Sequence, residues 1–216
     1  MANISAQLVK ELRDKTGAGM MDCKKALQEC DGSIDAAIEY LRKKGLKDLS
    51  KRAGKVTAEG TVGIYVHHGS QIAAMVELNC ETDFVARGED FQSLAKDLAM
   101  QVAAMNPKYL SEEDVPESVI EKEKEILLEQ LDEKKKAMAD KIIPGRLKKF
   151  FDENCLMNQI FVKDEAGKVT VRDVVNELSV KTGEKVVVRR FVRFEVGEGI
   201  EKSEDNLAQE VAALVG

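Results

Sequence analysis

The side chains able to do covalent or metal chemistry are few and scattered. Cys23, Cys30, Cys80 and Cys155 stand far apart with no C-x-x-C pair, so a zinc site or redox motif is not expected and reduced, mostly buried thiols are. His67 and His68 are adjacent, which suits a strand end better than a metal site, and a general base built on either has no partner to name. The loop Thr16-Gly17-Ala18-Gly19 lacks the second glycine and the lysine–hydroxyl pair of a phosphate-cradling G-x-x-x-x-G-K-[ST] motif. No nucleophile elbow is present either, so no catalytic residues, no metal ligands and no cofactor are expected.

What remains is physical rather than covalent. In Glu81-Thr82-Asp83-Phe84-Val85-Ala86-Arg87 an aromatic side chain sits among charges, in a short loop between a predicted strand and a predicted helix. Asp83 and Arg87 want water, and a loop of this kind runs over the surface, which makes Phe84 a candidate wedge for a partner. The other reading is that Phe84 folds back to cap the end of its own sheet.

The elements around this loop follow from periodicity. Val62, Ile64 and Val66 alternate with Gly63, Tyr65 and His67, and Ile72, Ala74, Val76, Leu78 and Cys80 alternate again after His68-Gly69-Ser70. These runs predict a β-hairpin whose second strand delivers the chain into the loop. Phe91, Leu94, Ala95, Leu98 and Val102 then share one helical face up to Asn106-Pro107. A third strand is expected over Lys185 to Val196, with Val186, Val188, Val192, Phe194 and Val196 on one side and Arg189, Phe191, Arg193 and Glu195 on the other. Thr170 and Asp173 form a capping pair for a helix carrying Val171, Val174, Val175 and Leu178.

Ahead of the hairpin, Ile4, Leu8 and Leu12, then Met20 to Cys30, then Ile34, Ala37, Ile38 and Leu41 mark three short helices. The consecutive Met20 and Met21 cannot share a helical face, so one is expected to point outward. Gly45 to Gly60, with Lys44 just ahead of it, Lys47, Lys51, Arg52 and Lys55 within it and few large apolar residues, reads as a connection between domains. Between the sheet segments, Ser111-Glu112-Glu113-Asp114 supplies a cap, and two charged helices joined by Lys134-Lys135-Lys136 predict a helical hairpin over about 117–152. Pro144 is expected to break its second helix, with Gly145 to Phe151 opening a new segment. Leu207, Val211 and Leu214 align on a last helix. The fold class is therefore α+β, with a three-helix bundle over 1–53, a core domain over 54–200 and a helical module over 201–216.

Composition narrows the function. The chain has 216 residues, no tryptophan, three tyrosines and a formal charge of −6, so it lacks the basic field and stacking aromatics of a general nucleic-acid binder. The mixed signs of the charged helices argue against a membrane role too. No stretch approaches the about 18 apolar residues of a membrane span, and Met1 to Ser5 does not open a signal peptide, which makes the cytoplasm the expected location.

Four stretches carry a resemblance to one family. Thr16-Gly17-Ala18-Gly19-Met20-Met21-Asp22-Cys23-Lys24-Lys25-Ala26-Leu27, Asn79 to Arg87, Asn154 to Asp164 and Arg190 to Lys202 are similar to segments of elongation factor Ts, the guanine-nucleotide exchange factor of elongation factor Tu. Isoleucine stands at 160 where that family usually carries proline. The resemblance implies a ubiquitin-associated-like N-terminal bundle, with Leu12, Met20 and Met21 contacting a helix of elongation factor Tu. It also implies that Thr82, Asp83, Phe84 and Val85 form the segment that intrudes on the GTPase and dislodges its magnesium. The C-terminal module would touch the GTPase domain. Some members carry the strand hairpin twice; a single copy here implies a homodimer that takes its second sheet from a second chain. Two other classes stay open: a ubiquitin-type adaptor, which would use the bundle alone, and a small enzyme using Cys80.

Overall fold

The computed structural model describes residues 4–16 and 18–200; Gly17 and the helix expected over 201–216 lie outside the described residues. The architecture is α+β, as the patterns predict. In chain order the elements are α1 (Ala6–Thr16), α2 (Met20–Glu29), α3 (Ile34–Lys51), β1 (Glu59–Val66), β2 (Ile72–Cys80), α4 (Asp83–Ala86) and α5 (Glu89–Met105). They continue with α6 (Glu117–Glu129), α7 (Glu133–Lys136), α8 (Ala139–Asn154), α9 (Val171–Thr182) and β3 (Val187–Glu195).

Helices α1 to α3 close around Val9, Leu12, Cys23, Ala26, Leu27, Ala37 and Leu41, a core of their own. Asp31 and Gly32 turn the chain between α2 and α3 with φ of 49° and 82°, a left-handed bend that a short polar residue and a glycine tolerate. The connection expected from Gly45 onward begins later, because α3 stays helical to Lys51. A Cβ at Gly45 would lie 2.7 Å from Val180 Cγ2, so the bare glycine lets α3 lie close against α9. That packing outweighs the roughly 1 kcal/mol a glycine costs a helix.

The second core is built on an antiparallel sheet of order β1-β2-β3. Ala74, Val76 and Leu78 of β2 face Phe91, Ala95, Leu98, Ala99 and Val102 of α5, and Leu156, Val171, Val175 and Leu178 complete the cluster. Gly63 sets how close α5 comes: a Cβ there would lie 2.0 Å from the Ala95 carbonyl oxygen. The capping pair expected at the start of α9 is present, with Thr170 Oγ1 accepting from the Asp173 N–H and the Asp173 carboxylate accepting from the Thr170 N–H.

Strand β3 departs from its expected single buried face. Glu77 pairs with Arg190 but Leu78 with Val188, leaving Arg189 as the extra residue of a bulge. Since side chains alternate with a period of two, one extra residue swaps the faces beyond it. Val186 and Val188 are buried, whereas Val192, Phe194 and Val196 are exposed. Beyond the bulge it is Phe191 that packs on the core.

Helices α6 and α8 pack against each other as the expected hairpin. Its two ends are stitched together where the Lys108 and Tyr109 N–H groups donate to Asn154 and the Leu156 N–H donates to Tyr109. Ser111 and Asp114 cap their own 3-10 turn, and α6 starts after Pro116. The break expected at Pro144 does not occur, since α8 runs unbroken through it. Pro144 stands in the second turn on an exposed face, where the carbonyl of Asp140, four residues earlier, gives up its N–H partner on the side open to solvent.

Candidate functional site

Strand β2 leads directly into the Phe84 segment, and what looked like a loop is a single helical turn, α4. Thr82 is its N-cap, with backbone in the extended region and Oγ1 accepting from the Val85 N–H at 3.5 Å. On the inner side of the turn Ala86 is buried and Val85 packs on the sheet core. Gln92 of α5 donates to the Ala86 carbonyl at 2.6 Å. On the outer side Asp83 pairs with Arg87 at 3.0 Å, four residues on.

Phe84 is 84% exposed. It does not fold back over its own sheet, so of the two expectations for this side chain the capping one is set aside. An aromatic ring held in water by a turn whose other side chains are anchored is an unsatisfied apolar surface, and burying it would yield about 1.5–3 kcal/mol.

Long-range hydrogen bonds hold the start of this turn. The Glu184 carboxylate, just beyond the Gly183 cap of α9, accepts from the Glu81 N–H at 3.1 Å, the Thr82 N–H at 3.0 Å and the Thr82 hydroxyl at 2.7 Å. In the opposite direction the Glu81 carboxylate accepts from the Lys185 N–H at 2.8 Å and from Arg52 at 2.9 Å. These bonds, the Lys185 one foremost, hold the Glu81 pKa below its ordinary value. Lys185 Nζ also donates to the Ala53 and Lys55 carbonyls, tying the segment after α3 to the same corner. The links from Glu184 and Lys185 to Glu81 and Thr82 were not visible in the sequence, because the partners lie about a hundred positions apart.

The N-terminal residues are placed differently from one another. Met20 and Met21 are both exposed, at 49% and 75%, rather than one of them. They open α2, and a helical side chain leans over the preceding turn, which does not exist at these positions. Leu12, expected alongside them, is 0% exposed and packed in the core of the bundle. Met20 and Met21 belong to the bundle and Phe84 to the sheet domain. The two are joined through α3 against α9 and the Arg52–Glu81 pair.

Nothing in this region points to bond chemistry. Burial, with the Glu184 charge second, pushes the Cys80 thiol up to about 11, and its Sγ donates to the Thr82 carbonyl at 3.1 Å. Cys80 is also fully buried, the setting of a structural thiol. Among the described residues no group of His, Cys, Asp and Glu could hold a metal ion, and no helix is long and apolar enough to cross a membrane.

The outer face of the sheet was missed as a surface. Its cross-strand rows are Val66, Ala73 and Phe194, then Ile64, Met75 and Val192, then Val62, Glu77 and Arg190. All the large apolar side chains in them are exposed. The alternation in β1 was legible, but which side faced α5 was not.

The family described as Elongation factor TS matches residues 6–198. The chain belongs to the elongation factor Ts family. A curated elongation factor Ts of Desulforamulus reducens is 55% identical over 217 residues, covering 100% of this chain and 99% of the relative. That of Moorella thermoacetica is 59% identical over 204 residues, covering 94% of this chain and 100% of the relative. That of Carboxydothermus hydrogenoformans is 53% identical over 214 residues, with 98% of each covered. Membership makes the chain an elongation factor of protein biosynthesis. The matched span includes both surfaces built above: the α4 turn of the sheet domain and the methionines that open α2.

Proposed function

We propose that the chain is a guanine-nucleotide exchange factor for elongation factor Tu, working in the cytoplasm and carrying out no bond chemistry of its own. The observation that carries this is the exposed Phe84 ring on an anchored turn. Magnesium in a GTPase is held by a P-loop hydroxyl and an aspartate and bridges the nucleotide phosphates. A ring wedged among the side chains behind those groups shifts them and weakens ion and nucleotide together. Thr82 and Val85 fix the turn, Asp83 and Arg87 keep its outer edge polar, and Phe84 supplies the apolar energy. Met20 and Met21 provide a second contact on a helix of the GTPase, with Leu12 holding α1 beneath them. Because coupling is reciprocal, a factor that loosens GDP is itself loosened by nucleotide, and binding of GTP releases it.

The two separate hydrophobic cores support a division into the bundle over 1–53 and the core domain over 54–200, with 201–216 as a further module. The exposed apolar face of the sheet supports a homodimer. Two such faces stacked at the roughly 10 Å spacing of packed sheets would take Val62, Ile64, Val66, Met75, Val192 and Phe194 out of water.

The test is release of fluorescent GDP from elongation factor Tu by stopped flow, with this protein below stoichiometry. Faster release is expected, and the gain should shrink when magnesium has already been removed by chelation. A release rate that does not respond to the protein would refute the proposal. A gain unaffected by chelation would leave exchange standing but remove magnesium displacement from the mechanism.

A further inference from the structure

One carboxylate accounts for most of the bonds at the start of the Phe84 turn, and it comes from about a hundred positions further along the chain. Gly183 ends α9 in the left-handed region, with φ of 71°, and the next residue, Glu184, turns back toward the end of β2. Its Oε2 accepts two consecutive backbone N–H groups, from Glu81 and Thr82, and its Oε1 accepts the Thr82 hydroxyl proton. That last bond also has a direction. With its proton given to Glu184, the Thr82 oxygen turns a lone pair toward the Val85 N–H, the bond that caps α4. Glu184 thus fixes the two peptide groups before the turn and the cap of the turn itself.

We infer that Glu184 is a positioning residue for nucleotide exchange: it holds the α4 turn so that Phe84 stands out as a rigid wedge. This rests on the exchange function proposed above. The physical reason is preorganisation. A ring on a frayed turn would have to be ordered at the moment of insertion, and part of its burial energy would be spent on that ordering. The turn has few bonds of its own to resist fraying, since a four-residue helix lies far below the length at which a helix is stable alone. A carboxylate receiving three donors is a strong restraint, because hydrogen bonds to a charged group are about twice as strong as neutral ones. Glu184 touches neither the ring nor any surface presented by Phe84, so it acts through Thr82.

The test uses the full-length protein and the variants Glu184→Ala and Glu184→Gln, each alone and combined with Phe84→Ala. In the free protein, amide hydrogen exchange at Glu81, Thr82 and Val85 should speed up by roughly tenfold or more in Glu184→Ala, the loss expected for one charge-assisted bond. Protection across the middle of β2 and α5 should stay as it was. With elongation factor Tu, Glu184→Ala should lower the maximal rate of GDP release by about tenfold. The half-saturating concentration should move by less than about threefold, because the methionine contact is untouched. Glu184→Gln retains one acceptor oxygen and most of the volume, so it should fold where the alanine variant does not and lose less.

The decisive comparison is made in the Phe84→Ala background, where removing Glu184 should cost nothing further. Release slowed by the same factor with and without the ring would overturn the inference, since Glu184 would then act through the fold at large. Unchanged amide exchange or an unchanged maximal rate in both Glu184 variants would overturn it as well. If the unmodified protein fails to accelerate release, the exchange function falls and this role with it, while the amides still report whether Glu184 holds the turn.

Discussion

Phe84→Ala separates a wedge from a core residue by sign and size. The ring is 84% exposed, so removing it deletes almost no buried area in the free protein, and stability should change by no more than about 0.5 kcal/mol. A phenylalanine that capped the sheet would instead cost about 3–5 kcal/mol on truncation. In the complex the account reverses: the ring's burial is worth about 1.5–3 kcal/mol, which corresponds to a roughly ten- to hundredfold slower release of GDP at saturation. Two measurements check this, urea denaturation of the free variant and stopped-flow release of fluorescent GDP over a range of factor concentrations. Complex formation should survive through Met20 and Met21. The reasoning is refuted if the variant releases GDP as fast as the unmodified protein, or if it loses more than about 2 kcal/mol of stability.

The sheet face predicts that the unmodified chain is a dimer by light scattering and that Ile64→Lys, in the middle row of that face, is a folded monomer; a monomeric unmodified chain with normal exchange activity would discard the dimer. Leu12→Ala should cost about 2–5 kcal/mol in chemical denaturation because it empties the bundle core, whereas Met21→Ala should leave stability alone and weaken binding to elongation factor Tu in a titration. The reverse pattern would mean that the bundle surface has been misplaced. Glu81, held below its ordinary value of 4.5, stabilises the fold fully above that value and loses its contribution as pH falls through the lower folded-state value. The melting temperature of Glu81→Gln should therefore lie below that of the unmodified protein at pH 7 and converge with it in acid; a gap of constant size across the titration would contradict this.

Much of the molecule was legible in residue patterns because the forces concerned are local. Helix periodicity, the Thr170–Asp173 cap and the strand alternation of β2 depend on neighbours within a turn or a pleat, and they stand where the sequence put them. The α+β class follows from the same signals, and the four family-like stretches extended them to a function. Phe84 was visible as a wedge because apolar area amid charge is a local contradiction. Its alternative fate, over the sheet end, could be decided only by where β2 and α5 left room.

The remainder was set by contacts between distant positions. The Arg189 bulge exists because β3 must align with Glu77 and Leu78 more than a hundred residues earlier, and that single insertion sent Val192 and Phe194 outward while their sequence spacing still matched Val188. Leu12, a contact residue by resemblance, lies in the core of the bundle because α2 and α3 close over it. Pro144 kept its helix because the face it occupies is open to water, a fact no local rule contains. Amino-acid order by itself determined where the main helices and strands lie, though not the α4 turn, the end of α3 or the continuity of α8, and which side chain has surplus apolar area to offer a partner. Tertiary structure alone decided which face of each strand is covered and which carboxylate steadies the Phe84 turn, because burial and long-range hydrogen bonds depend on chain segments that meet only when the whole fold has formed.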